Sequence, residues 1–346
     1  MRNSRIVVGI AGTAIALVMV TTASAAYKTA KLSVTYGSGG TTRIVASSDG
    51  ADDATARAAI IISNGTTLTT TAAPGTKVGT VNAQVSALAL GGALLPLSGD
   101  ILVAPPGAVP AASQTGCIGA VTPSTTYLLV LQAAGQTINL PAYIIPTDAT
   151  EAALGSAQLV FCLAPPDIPV DKGGATFGAK FLSADMTFNG VFSPLANAVW
   201  MSLWTPWTPL TGVVNLPGTV AAPSILGASA VSLKGKRVKG KVTLVGVLAT
   251  AGSGFAGPVK IWGAAGKAAL KPLKTVTASS KGVFKVTLPA TAKQTSFQAR
   301  YGTTRASISG ADAASFCTDV FSSLPVPCSS VGVQITGANS KLVTVR

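Results

Sequence analysis

From Lys31 onward the chain is a succession of short runs in which hydrophobic and polar positions alternate, each bounded by Gly, Pro, Asn or Asp. Alternation with a period of two buries one face of a strand. Many such runs at close spacing predict an all-β protein, organised as tandem β-sandwich (Ig-like) domains. The runs are Lys31–Tyr36, Thr42–Ser47, Ala58–Ser63, Lys77–Leu88, Ile101–Ala104, Thr126–Gln132, Thr137–Ile145, Ala157–Leu163, Lys180–Asn189 and Asn197–Trp204. Helical spacing of apolar positions is almost absent. Asn64-Gly65 and Asn189-Gly190 each separate two β-rich runs, so both predict hairpins, whose central residues need φ > 0.

The first 25 residues follow a different pattern. Arg2 and Arg5 precede an apolar run, Ile6 to Val20, and Ala23-Ser24-Ala25 has the small-x-small form of a signal-peptidase site. The run is shorter than the roughly 20 residues that span a bilayer, and cleavage is expected after Ala25. No later run is long enough to span, and the terminal Ser340–Arg346 carries no hydrophobic tail. A secreted protein, extracellular or cell-wall associated, with no integral membrane segment after cleavage, is the expectation.

Leu216 to Ser224 is rich in Pro and Gly, and the charge balance changes there. Residues 26–224 carry 7 Lys/Arg against 9 Asp/Glu; residues 225–346 carry 16 against Asp312 and Asp319. This predicts an N-terminal region over 26–217 (one large or two small sandwiches), a linker over 218–224 and a basic domain over 225–346. Four cysteines in an exported chain predict disulfides. Three connectivities are open; Cys117–Cys162 and Cys317–Cys328 keep each bridge within one domain, with sequence separations of 45 and 11 by subtraction.

Within the basic region, Gly240–Leu248, Gly257–Trp262, Thr275–Pro289 and Phe297–Tyr301 are strand and turn patterns. They make it resemble the bacterial Ig-like and carboxypeptidase-regulatory-like modules of exported proteins. The resemblance implies a non-catalytic β-sandwich that serves as spacer or binding unit, and the segment from Cys317 to Cys328 departs from it as an insertion. Residues 26–217 carry no such resemblance.

The chain has no histidine, which removes Ser-His-Asp and Cys-His catalysis and the commonest metal ligand. Gly252–Gly257 fits a dinucleotide-loop pattern and Gly235–Lys241 a phosphate-loop pattern, but each leads into a β-run, leaving no helix N-terminus to receive phosphate. Asp49-Gly-Ala-Asp-Asp53 offers hard oxygen ligands without calcium-loop spacing. A hydrolase using paired Asp residues stays open in principle, although no pair stands out. No enzyme activity, cofactor or metal is expected.

Two binding surfaces are candidates. Lys234, Lys236, Arg237, Lys239 and Lys241 crowd one predicted hairpin, and dense positive charge attracts polyanions by releasing counterions. An anionic cell-wall polymer or polysaccharide is the partner this implies. Trp200, Trp204 and Trp207 fall in one run; Trp200 and Trp204 share a strand face, able to stack on sugar if exposed and forming core if buried. The function these features support is that of a non-enzymatic structural or adhesive envelope protein, with a wall-polymer or carbohydrate binding module as the alternative. The oligomeric state is not encoded in any of them.

Overall fold

The structure is a computed structural model; it describes residues 27–133, 135–266, 268–289, 294–321 and 326–345. The expected signal peptide lies outside the described residues. The first ten strands are β1 (Lys31–Tyr36), β2 (Thr41–Ser47), β3 (Thr55–Ile62), β4 (Lys77–Ala87), β5 (Ala93–Val103), β6 (Thr125–Ala133), β7 (Gln136–Pro146), β8 (Ala157–Cys162), β9 (Ala179–Asn189) and β10 (Ala198–Thr208). After β11 (Val213–Val214) comes a long strand, β12 (Val220–Val238). The protein is all-β in character, as the alternation predicts.

Antiparallel pairing runs in the order β1-β2-β9-β4-β5-β6-β7-β8-β3-β10-β12. On every one of these strands one set of alternate residues enters the same core: Leu32 and Val34, Ile44 and Ala46, Met186 and Phe188, Leu129 and Leu131, Ile60 and Ile62, Trp200 and Trp204, among others. The sheet therefore curls on itself. Its ends meet where Val34 N donates to Ser224 Oγ of β12 (2.9 Å) and where the Ser329 and Ser330 hydroxyls donate to Ala30 O. Residues 27–133 and 135–226, expected as one or two sandwiches, form one ring-like sheet around one core. The alternation is the same in either architecture, because both bury one face per strand.

The remaining strands are β13 (Lys241–Thr250), β14 (Ser253–Gly254), β15 (Gly257–Ala265), β16 (Lys271–Ala278), β17 (Val283–Pro289), β18 (Gln294–Tyr301), β19 (Thr304–Ser309), β20 (Ser330–Thr336), β21 (Ala338–Asn339) and β22 (Val343–Thr344). β12 pairs with β13 over its second half, and β13 with β14 and β17. A second sheet, β16-β15-β18 with β21 and β22, lies against this one around Leu244, Leu248, Ile261, Phe284 and Phe297.

Two boundaries differ from expectation. The segment read as a linker over 218–224 is largely strand: β12 is one 19-residue strand, paired with β10 over 220–226 and with β13 over 229–238. Alternation explains this, since Val220, Ala222 and Leu226 face the ring's core and Leu233 the second core. The strands β19 and β20 also return to the ring: β20 pairs parallel with β12 and antiparallel with β19. A Cβ on Gly332 would stand 2.8 Å from Leu32 O, so only glycine lets β20 approach β1 so closely.

Two short helices, α1 (Ala111–Ile118) and α2 (Ala311–Val320), cover the outward residues Ile61, Tyr143, Val160 and Met201 on one wall of the ring. Each is stapled: Cys117 of α1 to Cys162 of β8, and Cys317 of α2 to Cys328 ahead of β20. Both bridges match the expected pairing. The predicted Asn-Gly hairpins do not form. Gly65 (φ 84°) and Gly190 (φ 67°) turn the chain, but β3 already has β8 and β10 as partners and β9 has β2 and β4.

Candidate functional site

The ring is filled at one end and hollow at the other. At the filled end, Tyr127 and Phe188 stand 5.9 Å apart between ring centroids, Phe188 and Phe192 5.1 Å, and Phe192 and Trp200 5.3 Å. Trp200 Nε1 donates to Tyr36 OH (2.9 Å), while the buried Tyr127 hydroxyl has no hydrogen-bond partner among the described residues.

At the other end the inward positions are small. Ala46, Ala184 and Ala83 are direct partners across β2, β9 and β4, and Ala58 faces inward on β3. Alanine there leaves a cavity of about 330 Å³, walled by Ile60, Val81, Val85, Leu97, Leu129, Leu131, Leu140, Phe161, Phe181, Met186 and Trp204. Among its lining residues only Thr176 has a polar side chain; Cys162, also at the wall, is in its disulfide. A ring of eleven strands is wider than the roughly eight whose interior side chains just fill, which accounts for a lumen. The cavity is chemically a site for apolar matter.

Trp204 and Phe181, 5.8 Å apart between centroids, stand at the border of this lumen. Trp204 Nε1 donates to Ser202 Oγ (2.8 Å), which donates to Ala222 O (2.9 Å). Residues 163–178 cross the mouth, with Ala164, Gly174, Ala175 and Thr176 against the cavity. A Cβ on Gly174 would lie 2.0 Å from Ile168 O. That position requires glycine for the crossing segment to fold on itself.

The expected aromatic patch is thus not a surface. Trp200 and Trp204 are fully buried and point into the ring, and half-buried Trp207 donates Nε1 to Leu163 O (3.1 Å). The basic cluster is a surface. Lys234, Lys236, Lys239 and Lys241 are exposed and Arg237 is half-buried. Lys239 lies between the strands and with Gly240 forms the left-handed turn of the β12–β13 hairpin (φ 47° and 73°). Lys234, Lys236 and Lys241 share the outer face with Lys285, which lies beyond Val245 from Lys234.

Several carboxylates are engaged in local hydrogen bonds. Asp52 accepts from Lys28 N (2.9 Å), Thr29 N and Thr29 Oγ1, and Asp49 accepts from Ala51 N (2.9 Å). Asp148 caps Thr150 N and Glu151 N. Glu151, the one glutamate of the chain, is buried and accepts from Gln158 Nε2 (3.1 Å). Burial, reinforced by the nearby Asp148, pushes its carboxyl above the usual range. Among the described residues no group of three or more His, Cys, Asp or Glu side chains is placed to hold a metal ion, and no helix is long and apolar enough to cross a membrane.

Sequence reasoning missed the lumen. The only signal for it was alanine recurring at inward strand positions, at 46, 58, 83 and 184, where larger side chains would fill a core. No family model, no curated protein and no solved structure matches this chain.

Proposed function

We propose that this is an exported, non-enzymatic binding protein whose ring-shaped sheet takes up one apolar ligand in its lumen. The observation that carries the reading is the cavity of about 330 Å³ with an almost wholly apolar wall. A ligand site of this kind is concave, apolar and already formed. An apolar protein cavity of about 150 Å³ accepts benzene, so this one suits about a dozen carbons, the size of a medium acyl chain. Two disulfides fit an oxidising compartment outside the cytoplasm.

Titration with N-phenylnaphthylamine, whose fluorescence rises in apolar surroundings, tests the reading. Saturable binding with one site per chain, displaced by alkanoates, is expected. A signal that never saturates, or one that alkanoates leave unchanged, refutes it.

A second reading rests on the lysine face: docking of the C-terminal unit, read as an Ig-like sandwich, on an anionic wall polymer. Lys234, Lys236, Lys241 and Lys285 share that face, and neither ion pair among the described residues, Arg43–Asp185 or Lys77–Asp100, involves them. Washing cells with rising NaCl is expected to strip the protein progressively. Retention indifferent to salt refutes this second reading.

A further inference from the structure

We infer that the open end of the ring docks on a lipid surface, so that the lumen exchanges its ligand with that surface; this rests on the reading of the lumen as a ligand site.

Ten of the seventeen exposed large hydrophobic side chains among the described residues surround the mouth. Leu88, Leu90 and Leu94 lie at the β4–β5 tip, Ile138 on the β6–β7 hairpin, Val170 and Phe177 on the crossing segment, and Leu210, Val213, Val214 and Leu216 between β10 and β12. Leu210 is 77% exposed and Leu216 71%. These segments touch. The Cβ position of Gly178 lies 3.1 Å from Leu88 Cβ and 2.8 Å from Pro166 O, and that of Gly212 lies 2.9 Å from Ile168 Cδ1. Ile138 is at once exposed and part of the cavity wall, so rim and lumen form one apolar surface. Contiguous exposed apolar surface of this kind marks an interaction site.

Three observations select lipid as the occupant. First, the rim tips close their own backbone hydrogen bonds: Gly91 N to Leu88 O, Gly173 N to Val170 O, Gly178 N to Ala175 O, Thr211 N to Thr208 O and Thr219 N to Leu216 O. A segment entering the headgroup and acyl boundary has to satisfy its polar groups internally. Second, charge there is turned inward or balanced. Asp167 accepts from Leu210 N (2.6 Å), Lys180 donates to Gly50 O and Asp52 O, and the exposed Asp171 and Lys172 offset each other. The β2–β3 connection at 48–54 is the polar sector of the rim. Third, Phe177 and Leu210 hold positive φ (56° and 61°), a conformation that disfavours side chains of their size. Apolar side chains are presented to solvent there against local backbone preference. The outer wall at β2, β9 and β4 carries Arg43, Asn82, Asp185 and Thr187, so that wall offers lipid no apolar face.

The test is flotation of the full mature chain with phosphatidylcholine vesicles, alongside N-phenylnaphthylamine titration in solution. Asparagine tolerates positive φ, so Leu210→Asn and Phe177→Asn keep the fold. Combined with Leu216→Asn, they are expected to lower vesicle partitioning at least tenfold while the solution titration moves less than twofold, since none of the three lines the lumen. A wild-type chain that does not float overturns the proposal, as does a triple variant that floats equally well. So does a dimer, seen by sedimentation without lipid, that the same variants dissociate, because the rim then serves a second copy. Failure of the dye titration with intact flotation sinks the lumen reading, and ligand exchange with it, while docking on lipid stands.

Discussion

Chain-length dependence gives the sharpest check on the lumen. Each buried methylene contributes about 0.8 kcal/mol, about fourfold in affinity, so binding of straight-chain alkanoates is expected to tighten by that factor per carbon until the cavity is full. Filling is expected near twelve carbons, from the cavity of about 330 Å³ scaled on a benzene-sized void of about 150 Å³. Gross burial of a dozen methylenes is about 10 kcal/mol; association costs offset roughly half of this, leaving a Kd on the order of 0.1 mM. Displacement of N-phenylnaphthylamine by C8 to C16 alkanoates below their micelle concentrations reads the series. Ala184→Leu supplies the matching perturbation: Ala184 sits between Ala46 and Ala83 in the alanine row, and leucine adds three carbons to the wall. The plateau is then expected about three carbons earlier, with dodecanoate about sixtyfold weaker and octanoate unchanged. A series that keeps strengthening through C16, or a variant that weakens every chain length alike, refutes a lumen of fixed volume.

Other consequences are independent of the ligand. Replacing Cys117 and Cys162 by serine is expected to lower stability in guanidinium unfolding by about 4 kcal/mol, and the same change at Cys317 and Cys328 by about 3 kcal/mol, because the bridges close separations of 45 and 11 residues; equal losses refute the loop argument. Glu151 has a raised pKa in the fold, so its favourable contribution is complete below the ordinary glutamate range and is lost as pH rises through the raised value. Glu151→Gln is expected to flatten the stability profile there, and an unchanged slope from pH 4 upward counts against it. Gly99→Ala would bring a Cβ to 1.9 Å from Val130 O between β5 and β6; a fall in Tm is expected, and a neutral result contradicts the register.

The strands were legible because the alternation that marks them is local. The ring was not, because it depends on partners far apart in the chain: Ala46 beside Ala184, Ala58 beside Phe161, Trp200 beside Ser224. A strand with one buried face looks the same in a sandwich and in a closed sheet. The helices were missed for a related reason. α1 spans eight residues and includes Gly116, and α2 spans ten; such short helices are marginal alone and persist by packing, here with a disulfide to the wall. The tryptophans show how far pattern reasoning reaches. A shared face for Trp200 and Trp204 was readable, but its burial depended on the ring closing, and α2 with Val331 helps to bury the opposite residues Met201 and Leu203.

Continuity of β12 ties the two candidate surfaces together. The strand starts beside Trp204 at the mouth and ends at the Lys239-Gly240 turn, and 19 residues of strand extend about 60 Å. Basic hairpin and apolar rim therefore lie at opposite ends of one element. The passage from ring to C-terminal unit is braced where a linker would bend: Ala228 N donates to Asn197 Oδ1 (3.1 Å), Thr336 Oγ1 to Gly227 O, and Ser229 Oγ to Thr336 O. β20 pairs with β12 through residues 224–228. Limited proteolysis discriminates a braced junction from a linker, because a protease needs an unpaired, locally unfolded segment. Residues 218–230 are expected to resist cleavage under native conditions and to open only with global unfolding. Early cutting there into an N-terminal and a C-terminal fragment, each still folded, would show instead that ring and basic face move independently, and the opposed placement of their two surfaces would lose its meaning.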